Sequence, residues 1–364
     1  MSRECRVAHH PRAISSIIDV GGDRRPEGGI VSAQRHAAVA GLGSVLPERI
    51  VPNEWFEAFI QTSDEWIRER TGIRERHFAA DDQTTSDLAT DAATRALEAA
   101  SIAPEQLDLL ICATLTGDTP IPSTAVWVQR KLRIAAPAFD VNAACAGFSY
   151  ALSTATAFIE SGQAETVLVM GAEVLSRVMN FRDRTTCVLF GDGAGAVVLR
   201  RSEEPGVLGS VLGADGRAAE ILIIPGGGSA EPASHDSVDA NDHAIKMPNG
   251  REVFKRAVVE MANACRQLLE KSGFAPDDVD LLIPHQANAR IMIAVAERLK
   301  IPIDHAVVDV ESVGNTSAAS IPVALDRAWR AGRLREGDLV LLTSFGAGLA
   351  WGANLIRWTE PERP

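Results

Sequence analysis

Cys145 is the residue in this chain best placed for covalent chemistry. It follows an apolar run over residues 139–141 and precedes a helical pattern over Gly147–Glu160. A helix start offers unpaired N–H groups and the positive end of the helix dipole, and both stabilise a thiolate. The position therefore predicts an acyl-accepting nucleophile, although an arbitrary cysteine is more often a small buried apolar residue.

Two further polar residues stand at turns of the same kind. His285 follows the buried strand predicted over Leu281–Pro284, and Asn315 lies in a turn before a helical pattern over residues 317–331. Taken singly, His285 could be a structural histidine and Asn315 a turn residue that tolerates unusual φ. Together with Cys145 they predict a shared site.

An internal repeat explains why these turns would meet. The segment over residues 103–111 (APEQLDLLI) recurs about 170 residues later over 275–283 (APDDVDLLI). The strands predicted at 139–141 and 166–171 recur in the same register at 308–310 and 338–343. Three such matches predict two homologous α/β halves with central helices between their sheets. Strand ends from both halves would then meet at one crevice.

The length and the repeat together predict the domain organisation. The 364 residues divide into a half over 36–205 that carries the cysteine and a half over 206–364 that carries the histidine and asparagine. Residues 1–35 read as a poorly ordered extension with no function that we infer, and 226–242 as a mobile surface loop. Local patterns predict a strand over 37–42 and helices over 64–70 and Thr85–Ala100.

Composition excludes several classes of function. The net charge of −12 disfavours a general nucleic-acid binder, and no apolar run approaches the ~20 residues of a membrane span. The five cysteines have neither metal-ligand spacing nor a disulfide pattern, which predicts no metal site and a cytoplasmic protein. Residues 1–35 have no continuous apolar run of the kind found in signal peptides, so we expect no secretory signal. The glycine-rich turn over 190–195 lacks the acidic ribose ligand of a dinucleotide site, so we expect no NAD.

Longer motifs carry a family resemblance. They lie at residues 62–67, 70–76, 143–148, 190–196, 284–288, 314–320 and 345–348. In these motifs and their order, the chain resembles the β-ketoacyl-acyl-carrier-protein synthase III family of condensing enzymes over about residues 36–357. The resemblance implies an α/β, thiolase-like fold in which the two duplicated halves form a layered αβαβα sandwich.

The resemblance also implies a two-step reaction. Cys145 would take an acyl group from acyl-CoA, and malonyl-acyl carrier protein would then lose CO₂ and attack the acyl-cysteine. His285 and Asn315 would donate N–H groups to the enolate oxygen, without a general base. The backbone N–H groups of Cys145 and Ala347 would hold the acyl oxygen, with Ala347 and Val313 departing from more usual residues. Acyl-CoA would be a substrate, with no permanently bound cofactor.

Binding residues follow from the same resemblance. Trp66 and Arg184 would sandwich the CoA adenine, Arg70 and Thr71 would lie near its phosphates, and Asn288 would bind the pantetheine arm. Ile121 would reach across a homodimer interface towards the partner's acyl pocket, near Leu189.

A basic patch on a predicted helix is the candidate docking site for the acidic carrier protein. Its members are Arg251, Lys255, Arg256 and Arg290. Like charges four residues apart repel one another unless an anion faces them. A solvated helix face is the alternative interpretation of this patch.

Three rival functions remain open. A synthase III-like acyltransferase would move the acyl group from Cys145 to an alcohol or amine, but such enzymes tend to alter the His/Asn pair that is kept here. A cysteine hydrolase would also use Cys, His and Asn, although the papain-type signature is absent. A non-catalytic partner of a condensing enzyme would have no need of all three residues. We therefore predict carbon–carbon bond formation, in fatty acid or polyketide initiation.

Overall fold

Two β-sheets, one from each half of the chain, form the frame of the fold. The computed structural model describes residues 35–360. The first sheet contains β1 (His36–Val45), β4 (Leu109–Ala113), β5 (Ala138–Val141), β6 (Thr166–Glu173) and β7 (Gly193–Ser202), in the order β1-β7-β6-β4-β5. β4 runs parallel to β5 and β6, whereas β7 is antiparallel to β6 and β1. A separate two-stranded ribbon pairs β2 (Arg49–Pro52) with β3 (Glu75–Phe78).

The second sheet repeats the connectivity of the first. It contains β8 (Val207–Ala214), β9 (Leu281–Pro284), β10 (Leu339–Gly346) and β11 (Ala350–Arg357), in the order β8-β11-β10-β9. β9 is parallel to β10, and β11 is antiparallel to β10 and β8. A single bridge from Leu282 to Ala306 stands where β5 stands in the first sheet. The predicted boundary at 205/206 falls between the last strand of one sheet and the first strand of the other.

Helices complete the layers. They are α1 (Glu54–Glu57), α2 (Asp64–Thr71), α3 (Thr85–Ala100), α4 (Thr124–Leu132), α5 (Gly147–Glu160), α6 (His235–Asp239), α7 (Gly250–Ser272), α8 (Ala289–Leu299), α9 (Val310–Val313) and α10 (Ser320–Arg330). α5 contacts strands of both sheets, and α10 packs beside it. α3 covers the outer face of the first sheet and α7 that of the second. The predicted αβαβα sandwich is therefore confirmed.

Small residues let the central layer approach the first sheet closely. A Cβ added at Gly171 of β6 would lie only 2.3 Å from the Ala318 carbonyl oxygen in the turn before α10. Any side chain at this position would push that turn away from the sheet. Asn315 lies directly before this turn, so the packing of the turn against β6 fixes the distance of one candidate catalytic group from the first sheet.

Most local predictions are confirmed, with one correction. α3, α5 and β9 have the predicted bounds, and the strand predicted over 37–42 extends over His36–Val45. The helix predicted over 317–331 starts as a 3₁₀ turn, Ser317–Ala319. The surface loop predicted over 226–242 is wrong in part, because Ser234 caps the short helix α6. The predicted extension over 1–35 lies outside the described residues except for Arg35.

Between residues 35 and 360, no helix combines the length and the apolar character needed to cross a bilayer.

Candidate active site

The structure brings Cys145, His285 and Asn315 to one cavity. Cys145 lies in the 3₁₀ turn Ala144–Ala146 before α5, His285 directly follows β9, and Asn315 follows α9. All three side chains line a cavity of about 130 Å³ and are no more than 8% exposed. The two halves thus contribute to one largely buried site, with the sulfur from one and the two nitrogen-bearing groups from the other.

The turn at Cys145 is held by a close backbone approach. A Cβ added at Gly346, the last residue of β10, would lie 2.6 Å from the Cys145 amide nitrogen. Only glycine allows this contact. The contact places the Cys145 amide next to the segment that includes Ala347. Ala144 adopts a left-handed φ of 46°, and Ser317 has a φ of 48° at the corresponding turn before α10. The repeat therefore extends to backbone conformation at the site.

The side chain of Asn315 has a defined orientation. Its Oδ1 accepts a hydrogen bond from the Ser317 amide at 2.9 Å, and its own backbone N–H donates to the Leu189 carbonyl at 2.9 Å. With Oδ1 occupied within the turn, the Nδ2 group remains as the donor to a substrate oxygen.

His285 is held in the same way. Its Nδ1 lies 2.6 Å from the Ser320 hydroxyl, and the next residue, Gln286, bonds the carbonyls of Pro284 and Val307. Burial lowers the pKa of His285 to about 3, so the imidazole is neutral. We assign its single proton to Nε2, because the Ser320 hydroxyl then donates to Nδ1 and Nε2 donates to substrate.

The charge state of Cys145 corrects the expectation from the sequence. Burial raises the pKa of the Cys145 thiol to about 12, and the Ser317 hydroxyl only partly opposes this. The stabilisation from the helix start is outweighed by the loss of hydration, which disfavours the anion. The thiol is therefore neutral at pH 7 and must lose its proton as it reacts.

A second, smaller cavity opens from Cys145. It has a volume of about 60 Å³ and is almost entirely apolar. Its walls include Leu115, Leu175, Leu222, Ile224, Ile245 and Ala347. Cys145, Phe190 and Leu222 line both cavities, so Cys145 lies where the larger cavity and the apolar pocket meet. Ala347 keeps a φ outside the left-handed region, so its Cβ leaves the backbone N–H free to donate.

Trp66 is covered by two guanidinium groups. Arg70 and Arg184 lie 4.7 and 4.6 Å from the centre of its ring, and Arg184 also donates to the Gln61 carbonyl at 2.7 Å. A base between Trp66 and Arg184 would need about 7–8 Å, twice the usual contact distance of ~3.5–4.0 Å. The predicted pair is adjacent, but Arg184 must slide aside before adenine can enter.

Two other predicted CoA contacts have partners within the chain. Thr71 is buried, and its hydroxyl donates to the Ile67 carbonyl at 2.6 Å and accepts from the Ile73 amide at 3.0 Å. Its hydroxyl therefore has a structural role at the end of α2, and its place near the CoA phosphates stays a prediction. Asn288 lines the larger cavity, caps α8 through Oδ1, and donates through Nδ2 to the Arg70 carbonyl at 2.9 Å. One Nδ2 hydrogen remains for a ligand.

The predicted basic patch is smaller than the sequence indicates. Arg256 is paired with Glu252 at 2.9 Å and with Asp215 at 3.0 Å, so its charge is compensated and it does not belong to an open anion site. Arg251, Lys255 and Arg290 are exposed. The Arg290 guanidinium lies 5.7 Å from the ring centre of Phe254, which lines the larger cavity. These three charges therefore flank the cavity mouth.

The two predicted acyl-pocket residues lie apart. Leu189 lines the larger cavity. Ile121 is 84% exposed and lines neither cavity that contains Cys145, so it takes no part in the pocket of its own chain.

Sequence reasoning missed several groups that shape the site. Ser320, five residues after Asn315 in the same motif, bonds His285. Glu173 is an acidic residue at the end of the apolar strand β6. An acidic residue is unusual in such a strand, and this feature of the sequence could have identified it. Within residues 35–360 no cluster of three or more histidine, cysteine or acidic side chains has the arrangement of a metal site.

Comparison with known proteins gives consistent matches. A family described as 3-oxoacyl-[acyl-carrier-protein (ACP)] synthase III matches residues 139–216, and its C-terminal part matches residues 269–358. The chain is 51% identical over 326 residues to the β-ketoacyl-[acyl-carrier-protein] synthase III of Caldanaerobacter subterraneus subsp. tengcongensis, covering 89% of this chain and 98% of that protein. It is 49% identical over 329 residues to the corresponding protein of Xanthomonas campestris pv. campestris, covering 90% and 100%.

Solved structures agree with the sequence matches. The 3-oxoacyl-[acyl-carrier-protein] synthase III of Aquifex aeolicus VF5 superposes with a TM-score of 0.82 at 47% identity, covering 88% of this chain and all of that chain. The priming β-ketosynthase of the R1128 polyketide biosynthetic pathway superposes with a TM-score of 0.84 at 37% identity, covering 92% and 99%.

Proposed function

The chain belongs to the 3-oxoacyl-[acyl-carrier-protein] synthase III family of thiolase-fold condensing enzymes, and from that premise we propose the residues and substrates of its reaction. It is an enzyme of the acyltransferase class. In the proposed reaction, Cys145 takes an acyl group from a short acyl-CoA, and malonyl-acyl carrier protein accepts that group with loss of CO₂. The products are CoA, CO₂ and a β-ketoacyl-acyl carrier protein.

One observation carries this proposal. Cys145 lies at the junction of a small apolar pocket and a larger cavity that also contains His285 and Asn315. The apolar pocket suits an acyl chain on the sulfur, while the larger cavity holds the two N–H donors where a second thioester would enter. A thioester hydrolase has no need of two N–H donors in a cavity that admits a second thioester.

In the first step the sulfur of Cys145 attacks the acyl-CoA carbonyl. The C–S bond to CoA breaks, and the thiol proton leaves with the CoA sulfur. Backbone N–H groups of Cys145 and Ala347 stabilise the negative charge that develops on the acyl oxygen. Such preorganised donors are most effective in a site that excludes water.

In the second step malonyl-acyl carrier protein loses CO₂, and the bonding electrons form an enolate. His285 Nε2–H and Asn315 Nδ2–H donate to the enolate oxygen. Its carbon attacks the acyl-cysteine carbonyl, the C–S bond breaks, and the Cys145 sulfur leaves as a thiolate that takes up a proton from water to restore the thiol. A neutral imidazole suits this role, because its task is to donate a hydrogen bond and not to remove a proton.

The size of the apolar pocket favours a short starter. In the same measure of volume a water molecule needs about 10–15 Å³, so a pocket of about 60 Å³ holds roughly four to six such units. A methylene group is similar in size to water, so chains of about two to five carbons, including branched ones, fit best. Incubation with malonyl-acyl carrier protein and a series of acyl-CoAs tests this. We expect CO₂ release and a heavier carrier protein with short starters, and hydrolysis without any gain in carrier mass would contradict the function.

Trp66 provides a test of the CoA site. Replacing it with alanine removes a stacking surface, and stacking of a base on an aromatic ring contributes about 1–3 kcal/mol. We therefore expect KM for acyl-CoA to rise about tenfold with kcat little changed. The matched control is an acyl thioester of N-acetylcysteamine, which lacks the nucleotide. Its kinetics should be the same in both proteins, and an equal loss with both substrates would refute the assigned role.

The corrected basic patch supports docking of the acidic carrier protein. Arg251 and Lys255 are exposed on α7 beside the cavity mouth, so reversing both charges to glutamate should repel the carrier. We expect KM for malonyl-acyl carrier protein to rise several-fold, more at low salt, while acyl-CoA loading is unchanged. Lys271→Glu, about 24 Å further along the same helix than Lys255, is the control for Lys255→Glu alone, which makes the same change in net charge. An equal effect of Lys271→Glu would show that only net charge matters.

A homodimer is part of the proposal. β5 is the edge strand of the first sheet, and Ile121 offers an exposed apolar side chain. Both features suit pairing with a second copy. The cytoplasmic location expected from cysteine usage stays a prediction.

A further inference from the structure

Glu173 is a fully buried carboxyl group without a role in the proposed condensation. It is the last residue of β6 and has no exposed surface. Its hydrogen-bond donors are the hydroxyls of Thr114 and Thr116 and the amides of Leu115 and Thr116. These residues directly follow β4, which runs parallel beside β6. The carboxyl ends of both strands therefore meet at Glu173, on the side of the sheet that carries the Cys145 turn.

The two oxygens of Glu173 are unequally occupied. Oε2 accepts all four of these hydrogen bonds, at 2.5–3.2 Å. Oε1 accepts only a longer contact from the Leu115 amide at 3.3 Å. Because each carboxylate oxygen has two lone pairs, Oε1 has room for a further donor.

Ser317 lines the apolar cavity beside Cys145 and beside Leu115, whose amide donates to Glu173. It is fully buried and adopts a left-handed φ of 48°. Burial raises the pKa of both the Cys145 thiol and the Glu173 carboxyl, and the Ser317 hydroxyl partly opposes the rise in each. Yet its oxygen has no hydrogen bond of ordinary geometry within residues 35–360. A buried hydroxyl without a full partner is unfavourable and calls for an explanation.

We propose that Ser317 and Glu173 form a proton relay that receives the thiol proton of Cys145 when the nucleophile is activated. The S–H bond breaks as its proton passes to Ser317 Oγ, and the original Ser317 proton passes to Oε1 of Glu173. The result is a thiolate and a neutral carboxylic acid, with no change in total charge. The proton returns by the same route to the departing CoA sulfur. This inference rests on the proposed role of Cys145.

Charge balance favours this route over transfer to His285. A thiolate–imidazolium pair would add two charges to the buried site, whereas the relay moves the one buried negative charge already present from Glu173 to Cys145. Burial lowers the pKa of His285 to about 3 and raises that of Glu173 to about 7. Of the two buried groups, the carboxylate is the better proton acceptor near neutral pH.

Cys112 is a further titratable group close to this carboxylate. It lies on β4 and is fully buried, and burial together with Asp140, Glu173 and Asp118 raises the pKa of its thiol well above the usual range. Cys112 is therefore neutral and does not compete for the proton. The titration of the site belongs to the Cys145–Glu173 pair.

Alkylation of Cys145 by iodoacetamide, followed by peptide mass spectrometry across the neutral pH range, tests the relay. Below the pKa of Glu173 both groups are protonated, so we expect the rate to rise with pH through an inflection near 7. Glu173→Gln should lose the inflection and react about 10²-fold more slowly at neutral pH, a typical contribution of a general base. Ser317→Ala should show the same loss of alkylation rate and of the inflection, although Glu173 is intact. This variant provides the test if Glu173→Gln does not fold.

An increase in the alkylation rate of Glu173→Gln, instead of a decrease, would overturn the relay. If Glu173 were only a negative charge that opposes the thiolate, Glu173→Gln would lower the pKa of Cys145 and speed alkylation. Thr114→Val is the matched control, because it removes a donor to Oε2 but leaves Oε1 and Ser317. Its profile should equal that of the unaltered protein, and a loss as large as in Glu173→Gln would make the role structural. The alkylation assay contains no acyl-CoA, so it tests the relay independently of the proposed function. If alkylation keeps its pH inflection but acyl-CoA does not acylate Cys145, the proposed function is refuted and the relay is not.

Discussion

Replacing Cys145 with serine should abolish formation of the acyl-enzyme. The two side chains are similar in size, so the buried turn before α5 is preserved. The serine hydroxyl, however, is a far weaker nucleophile than a thiol and ionises even less readily in a buried site. We expect the rate of acyl transfer from acyl-CoA to fall by more than about 10³-fold, measured as the gain in intact protein mass with time.

The control for this prediction is another buried cysteine. Cys265 on α7 is fully buried and lies outside both cavities, so Cys265→Ala should acylate at the normal rate. An acyl adduct that forms on Cys145→Ser as fast as on the unaltered protein would identify a different nucleophile.

Replacing His285 or Asn315 with alanine should separate the two half-reactions. Both donors act on the enolate oxygen, which exists only in the second step, so self-acylation should proceed at nearly its normal rate. Loss of one preorganised donor costs about 10²–10³ in rate, and we expect CO₂ release from malonyl-acyl carrier protein to fall by that factor. Acylation is followed by protein mass and decarboxylation by labelled CO₂.

Ser320→Ala is the graded control for His285. It removes the hydroxyl that lies 2.6 Å from Nδ1 but keeps the imidazole, so it should slow decarboxylation less than His285→Ala does. Unimpaired CO₂ release from both alanine variants, or an equal loss in both half-reactions, would be incompatible with the donor role.

The duplicated framework could be predicted from the sequence because its determinants are local. The recurring segments at 103–111 and 275–283 each encode a turn and a buried strand, and both appear as 3₁₀ turns followed by β4 and β9. The strand-to-helix turns at Cys145 and Asn315 follow from the same repeat. Topology then brings these turns to one edge, since strand ends of parallel units share that edge.

Interactions between distant segments could not be predicted in this way. Arg256 donates a hydrogen bond to Asp215, which lies 41 positions earlier in the chain. This pairing removes Arg256 from the basic patch. The neutral state of Cys145 depends on desolvation by the entire fold, which outweighs the local effect of a helix start.

The most direct measurement is a mass chase on the unaltered protein. It is loaded with a short acyl-CoA, the adduct is located by peptide mass, and malonyl-acyl carrier protein is then added. The account predicts one acyl group on Cys145, followed by its loss from the protein in step with CO₂ release and appearance of a β-ketoacyl group on the carrier. An adduct on another residue, or one that leaves as free acid, ester or amide while malonyl-acyl carrier protein stays intact, would contradict it.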